Sequence, residues 1–494
     1  MVTETRILIR MRNVLISHIL LFFFLVPISA FSQKNSLSKA NFKAQIVNAQ
    51  KALQQKSLKD VQVSVLITNT MSGEVIFEKN ADLPLHPASN TKVITTAAAL
   101  ELLGSGYSWN TFLKAGKLNK GRAKDIYLVG QGDPRFVSES LWKLIDDARR
   151  NHNLKRIDGN LYVDDTYFTQ DTMAPGFNDK NQDAAYRAAS GAMSINFNSI
   201  KIKILPSSKV DKAPIVEVWP TREHVFIRNE ARTTQAGKER LGLTASAHKD
   251  KTKLHLTGRI PVGHRGLVVR RRIDNPALFA GDATKHFLKN AGIRFKGKVL
   301  KKKHPRKAVN LAKIRSRTLG LIIQDINKLS NNFMAEQVLR TIGLVHGGVG
   351  DWIHGTKVVS KYLKDKLNFT KFKYVNGSGL FGDTRFSARQ MVAVLDRMAS
   401  SPLIRPEFFS SLALSRQDGT LKKRFRKLPP GTIRAKTGTL RGVICLSGYI
   451  HHESGELLTF SILMNDLPGK GWIAFRIQDQ ILNAFSGYST ESKK

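Results

Sequence analysis

Ser89, in His86-Pro87-Ala88-Ser89-Asn90-Thr91-Lys92, is followed in order by Ser330-Asn331-Asn332 and by Lys436-Thr437-Gly438-Thr439. A hydroxyl is a poor nucleophile near neutral pH. A serine that cleaves an amide therefore needs a nearby base, a proton route to the leaving amine, and donors for the oxyanion. The three segments can supply all of these. By composition a lone S-x-x-K or S-x-N is expected on the order of once in a chain of this size, and K-T-G a few tenths of a time. The force of the pattern lies in all three occurring in order, each on a suitable element.

The elements that must hold them are legible from periodicity. Val61, Val63, Val65 and Ile67 alternate, Met71-Ser72-Gly73 can turn, and Glu74 to Phe77 runs back, which predicts a β-hairpin. After Pro87 the pattern becomes helical through Val93, Ala97, Leu100 and Leu103, and Gly104 ends it. Ser89 then sits at a helix N-terminus, where the dipole favours negative charge on its oxygen, and Lys92, three residues on, shares its face. Two apolar helical stripes, Leu319 to Leu329 and Phe333 to Ile342, flank the second motif and place it on an interhelical loop. Near the C-terminus, Thr432 to Thr437, Val443 to Ile450 and Leu457 to Met464 read as antiparallel strands, with a turn expected over Gly438 to Gly442. A helix is expected from Trp472 to Phe485.

Ser330 lies 241 residues beyond Ser89, far more than a helix connection needs, so inserted domains are required. Strand-like pieces recur there at Ile126 to Val129, Leu161 to Val163, Ile200 to Leu205, Ile215 to Trp219 and Lys253 to Leu256.

Residues 1–32 have the form of an export signal: Arg6, Arg10 and Arg12, then the apolar run Ile19 to Val26, then small residues near Ala30 and Ser32. The alternative is an uncleaved anchor, for which the apolar run is short. The formal charge of the chain is +41, and loss of those three arginines and Glu4 leaves +39. With runs such as Arg270-Arg271-Arg272, Lys301-Lys302-Lys303 and Lys422-Lys423-Arg424, an exported protein of this charge is expected to meet anionic cell-envelope polymers or a membrane surface. No nucleic-acid motif interleaves these runs with aromatics, so nucleic acid is not expected as a partner. Cys445 is the only cysteine, which excludes an intramolecular disulfide, and it reads as a buried thiol on a core strand. The histidines show no metal-ligand spacing, so neither a metal nor another cofactor is expected.

These motifs resemble those of the serine penicillin-recognising fold, and the long insert narrows the resemblance to the D-alanyl-D-alanine carboxypeptidase/endopeptidase family, the low-molecular-mass class C penicillin-binding proteins. Gly130-Gln131-Gly132-Asp133-Pro134, Gly159 to Asp165, Ala192 to Asn198 and Gly377-Ser378-Gly379-Leu380 are similar to that family's segments and stand in its order. Four positions depart from it: Asn331 and Asn376 stand where Asp is common, and Phe381-Gly382 replaces a small polar and basic pair.

The resemblance implies an α/β (α+β) fold: a split penicillin-recognising domain with an antiparallel sheet and flanking helices, at 33–103 and 314–494, carrying nested β-rich inserts. The outer insert would be 104–130 and 208–313, and the inner one 131–207. It implies that Ser89 attacks a D-alanyl peptide bond with Lys92 as base, its pKa depressed by burial and by Lys436. Ser330 would relay a proton and Asn332 would hold Lys92 and the substrate amide. Lys436, Thr437, Gly438 and Thr439 would form the carboxylate-binding edge, with the N–H groups of Ser89 and Thr439 as the oxyanion hole. Expected partners are peptidoglycan peptides and β-lactam antibiotics, met outside the cytoplasm, in the periplasm or at the cell wall. The alternatives are a β-lactamase or esterase of the same fold, and a non-catalytic basic wall-binding protein.

Overall fold

The structure, a computed structural model, describes residues 37–177, 183–467, 469 and 471–489. The export signal expected at 1–32 lies outside the described residues. Among them, no helix is long and apolar enough to cross a membrane.

One sheet joins the two ends of the chain. The hairpin strands β1 (Gln62–Asn69) and β2 (Val75–Lys79) combine with β3 (Ala413–Leu414), β4 (Ile433–Leu440), β5 (Val443–His451) and β6 (Leu457–Asn465). The spatial order is β3-β4-β5-β6-β1-β2, antiparallel throughout. Val65 pairs with Ile462 and Ile67 with Phe460, all buried, so an N-terminal strand is locked to a C-terminal one nearly 400 residues away.

Helices pack against this sheet and against one another. They are α1 (Lys43–Leu53), α2 (Thr91–Leu103), α3 (Leu319–Lys328), α4 (Asn332–Gly347), α5 (Trp352–Leu367), α6 (Ala388–Ser400) and α7 (Gly471–Ala484). The sequence pattern of α2 suggests a single apolar stripe, yet every residue from Thr91 to Leu100 is buried. The reason is its central place: Val93, Ala97 and Leu100 share one core with Ile322, Ile326, Val338 and Leu395 from α3, α4 and α6. Thr95 and Thr96 survive there because their hydroxyls donate to the Gly377 and Lys92 carbonyls, both at 2.7 Å.

Between α2 and α3 the chain builds further layers. A five-stranded sheet runs Val299–Lys301, Leu161–Asp164, Ile126–Gly130, Asn110–Ala115, Val309–Arg315, with parallel and antiparallel pairs. Its core includes Leu141, Leu144, Ile145 and Ala148 of the helix Ser138–His152, and Ala277, Ala280 and Leu288 of the helix Pro276–Asn290. Residues 199–272 add a three-stranded and a four-stranded sheet, and Ser199–Leu205 pairs with Ile215–Trp219 along its length.

Arg340 of α4 fastens this inserted region to the helices. It is fully buried, stacked between the rings of Phe168 at 4.6 Å and Trp352 at 4.4 Å. It donates to the carbonyls of Thr169 at 2.8 Å, Ser190 at 2.5 Å and Gly350 at 3.1 Å. Burial lowers its pKa to about 10, which still leaves it charged.

Candidate active site

Ser89 lies in a short 3-10 turn, Ala88–Asn90, that leads directly into α2. The turn is held from three sides. His86 accepts the Ala88 N–H at Nδ1 (3.0 Å), while its Nε2 meets the Gly382 carbonyl at 3.1 Å. Asn465 on β6 clamps the His86 peptide by accepting its N–H at 2.9 Å and donating to its carbonyl at 3.0 Å. Asn90 donates to Ser447 on β5 at 2.8 Å. Ala88 itself has φ +48, a conformation that an alanine holds only when its surroundings impose it.

Two glycines let other segments approach this turn. A Cβ on Gly379 would sit 2.0 Å from the Ala88 carbonyl oxygen, and one on Gly438 would sit 2.7 Å from the Pro87 carbonyl oxygen. Gly438 is therefore a strand glycine. The turn expected over Gly438 to Gly442 is shorter, because β4 continues through Lys436-Thr437-Gly438-Thr439 to Leu440 and pairs with β5 as far as Val443. Only Arg441 and Gly442 turn, Gly442 with φ +75. Gly438 resembled a turn residue in the sequence because glycine marks both turns and close backbone approaches.

Lys92 occupies the first turn of α2 and is wholly buried. Its Nζ donates to Ser89 Oγ at 3.0 Å, Asn332 Oδ1 at 2.6 Å and the Ser378 carbonyl at 2.8 Å. Three donors thus meet three acceptors. Burial lowers its pKa to about 7, and the negative charge of Glu336 opposes that shift. Glu336 is a neighbouring charge on Lys92 that the sequence motifs do not show; the expected coupling of Lys92 to Lys436 is present as a mutual repulsion. Lys436, also wholly buried, is pushed well below the usual lysine range by burial first and by the Lys92 charge second.

A second amine–hydroxyl pair stands opposite. Lys436 Nζ donates to Ser330 Oγ at 2.9 Å and to the Thr437 carbonyl at 2.7 Å. Ser330 follows α3 with φ +56. Asn331 is the N-cap of α4, its Oδ1 accepting the Met334 N–H at 3.1 Å. A cap needs only a short side chain with an acceptor oxygen, so Asn serves there as well as Asp. Asn332 begins α4; it accepts from Lys92 and donates Nδ2 to the Tyr186 carbonyl at 2.9 Å, bringing a loop of the inserted region to the site.

Ser89, Ser330, Asn332 and Thr439 line one cleft of about 950 Å³, together with Tyr186, Phe381, Gly382, Arg385 and Arg441. The two lysines lie buried beside it. All five candidate catalytic residues are thus gathered around one opening, with Thr437, Gly438 and Thr439 on the adjacent strand. The cleft can present a hydroxyl paired with an amine of pKa about 7, and a second hydroxyl paired with a buried amine.

The model of the D-Ala-D-Ala carboxypeptidase 3 (S13) family matches residues 45–481. This chain belongs to that family.

Among its relatives in the S13 family, a D-alanyl-D-alanine carboxypeptidase of Actinomadura sp. is 29% identical over 454 residues, covering 88% of this chain and 83% of that one. The crystal structure of penicillin binding protein 4 from Haemophilus influenzae superposes with a TM-score of 0.77 at 21% identity, covering 89% of this chain and 100% of that one. The same protein complexed with a β-lactam gives a TM-score of 0.72 at 21% identity, with the same coverage. The S13 assignment carries the expected fold class with it: antiparallel sheets with helices, in a penicillin-recognising arrangement.

Sequence reasoning overlooked Glu336 and Thr420 at this S13 site, and named Asn376 only as a departure from the family pattern and Cys445 only as a buried thiol. Glu336, one helical turn after Asn332, is wholly buried and accepts from Trp352 Nε1 at 2.9 Å, the Gly377 N–H at 3.0 Å and the Ser378 N–H at 2.8 Å. Burial raises its pKa, and those hydrogen bonds work against the rise. Asn376 accepts the Gly379 N–H at 2.8 Å and donates to the Pro175 and Leu380 carbonyls at 3.0 and 3.2 Å. An ionised Asp could not make the last two bonds. Thr420 accepts from the Thr437 hydroxyl at 2.9 Å. The Cys445 thiol is buried, its pKa pushed up to about 12.

Proposed function

We propose that this S13 peptidase cleaves the D-alanyl peptide bond of peptidoglycan stem peptides and their cross-links, through an acyl-enzyme at Ser89. The observation that carries the reading is the 3.0 Å hydrogen bond between Lys92 Nζ and Ser89 Oγ, with the Lys92 pKa near 7. A neutral amine there accepts the serine proton as the oxygen attacks the carbonyl carbon.

Ser330, on its Lys436 partner, returns a proton to the leaving D-alanine nitrogen. Asn332 holds Lys92 and the substrate amide. The N–H groups of Ser89 and Thr439 stabilise the oxyanion, a contribution of about 3 to 4 kcal/mol per donor. Thr437, Gly438 and Thr439, with the Lys436 amine behind them, bind the free carboxylate of terminal D-alanine, whose negative charge favours protonation of that amine. Water then releases the shortened peptide or opened cross-link. A β-lactam, which has a comparable amide and carboxylate, acylates the same serine, in keeping with the β-lactam complex of the Haemophilus influenzae protein.

Within this reading, 33–103 and 314–494 form the catalytic domain and the residues between them are nested inserts, supported by β1 and β2 joining β4 to β6 in one sheet. The leader-like residues 1–32 export the chain to the periplasm or cell wall, where the +39 formal charge left after their loss attracts anionic envelope polymers or the membrane surface. Digestion of purified cell wall, followed by mass analysis, tests the activity. Loss of terminal D-alanine or of cross-links is the expected result; an unchanged muropeptide profile contradicts it.

A further inference from the structure

A second recess, of about 960 Å³, lies outside the catalytic cleft and shares no lining residue with it. Its walls come from α1, α7, the loop containing Lys423 to Lys427, and the segment that follows α7. Four cations line it: Lys423, Arg426, Lys427 and Arg476, all exposed. None of the four is ion-paired among the described residues.

The one carboxylate in the lining, Asp479, is already taken. Arg424 donates to it at 2.5 Å, and the Arg424 guanidinium is itself held over the rings of Phe425 at 4.9 Å and Phe475 at 5.1 Å. The rest of the lining is small or neutral; Asn48 and Tyr488, for example, add hydrogen-bonding groups without charge. Like charges gathered in a concave site repel one another, and low-dielectric walls focus their field, so the recess gains most from an anion that enters it. Oxygen-rich phosphates accept from Lys, Arg, amide and hydroxyl donors alike. A planar membrane would meet a flat or convex basic face. A recess bounded by two helices and a loop instead admits a narrow chain.

We propose that this recess binds a strand of phosphate-bearing polymer and so holds the enzyme against its anionic surroundings. The proposal is independent of the catalytic reading, because no group of the cleft takes part.

The test compares two variants of equal charge. One carries Lys423→Gln, Arg426→Gln, Lys427→Gln and Arg476→Gln; the other carries Lys302→Gln, Lys303→Gln, Arg306→Gln and Lys307→Gln, four exposed cations on the inserted region. Binding of inorganic polyphosphate and of phosphatidylglycerol vesicles is measured at fixed salt, and thermal unfolding checks that both variants fold. The expected result is a loss of tenfold or more in polyphosphate affinity for the recess variant, and less than threefold for the other. Equal losses would reduce the effect to bulk charge and overturn the proposal. So would a wild-type protein that ignores polyphosphate, or one that binds the vesicles alone. If the recess variant is unfolded, Arg476→Gln alone is compared with Arg306→Gln, and equal affinities overturn the proposal in the same way.

Discussion

Glu336 and Lys92 grip opposite ends of Ser378: the residue's N–H donates to Glu336 Oε1 at 2.8 Å, and its carbonyl accepts from Lys92 Nζ at 2.8 Å. The buried carboxylate thus orients the group that orients the amine, and it also favours the charged form of Lys92. Neither link is visible in the three motifs.

Replacing Glu336 with Gln should act on rate and pH profile together. In the native enzyme kcat/KM should rise with pH through about 7, since below that value Lys92 is an ammonium and cannot accept the serine proton. Without the Glu336 charge the Lys92 pKa falls, so the rising limb should move to lower pH. The plateau should fall by roughly 10- to 100-fold, the scale of losing a hydrogen bond to a charged group. Penicillin acylation rates measured from pH 5 to 9 give both quantities. A lower plateau with an unmoved limb would leave Glu336 only a structural role.

Lys436→Ala should discriminate between ligands. A substrate with a free carboxylate should lose far more kcat/KM than a neutral ester, because the buried Lys436 amine lies behind the strand proposed to bind that group and a bound carboxylate favours its protonated form. Equal losses on the two substrates would remove the carboxylate role.

Gly379→Ala should impair acylation without touching a catalytic group. The residue has φ +68, and a methyl would meet the Ala88 carbonyl at 2.0 Å, so the turn carrying Ser89 must shift. A displacement of about 1 Å can cost on the order of 100-fold in rate. Stopped-flow acylation by a fluorescent penicillin measures it, and a native rate would show that the turn tolerates the displacement.

At the N-cap of α4, Asn331→Ala should cost about 1 kcal/mol in urea unfolding while Asn331→Asp stays nearly neutral. A large loss for Asp would mean that the amide N–H group matters as well as the oxygen.

The parts of this architecture that depend on local pattern could be read from the chain. Alternation gave β1 and β2, the helical stripe gave α2, and the 241-residue gap from Ser89 to Ser330 demanded an insert. The helix Ser138–His152 carries the same kind of signal in Leu141, Leu144, Ile145 and Ala148, set between strand-like pieces. Glu336 and Thr420 are different in kind. Glu336 sits on α4 as one polar residue among several, and only the fold brings it to Gly377 and Ser378, some forty residues on. Likewise, a glycine in Lys436-Thr437-Gly438-Thr439 has turn chemistry until the Pro87 carbonyl beside it shows why a strand needs it.

The central claim is that Ser89 is the nucleophile. The direct measurement is intact-protein and peptide mass spectrometry after exposure to benzylpenicillin, for the native enzyme and for Ser89→Ala. One covalent adduct on the peptide containing Ser89, absent from a folded Ser89→Ala protein, is the predicted result. An adduct that persists in that variant, or that maps to Ser330, would contradict the account.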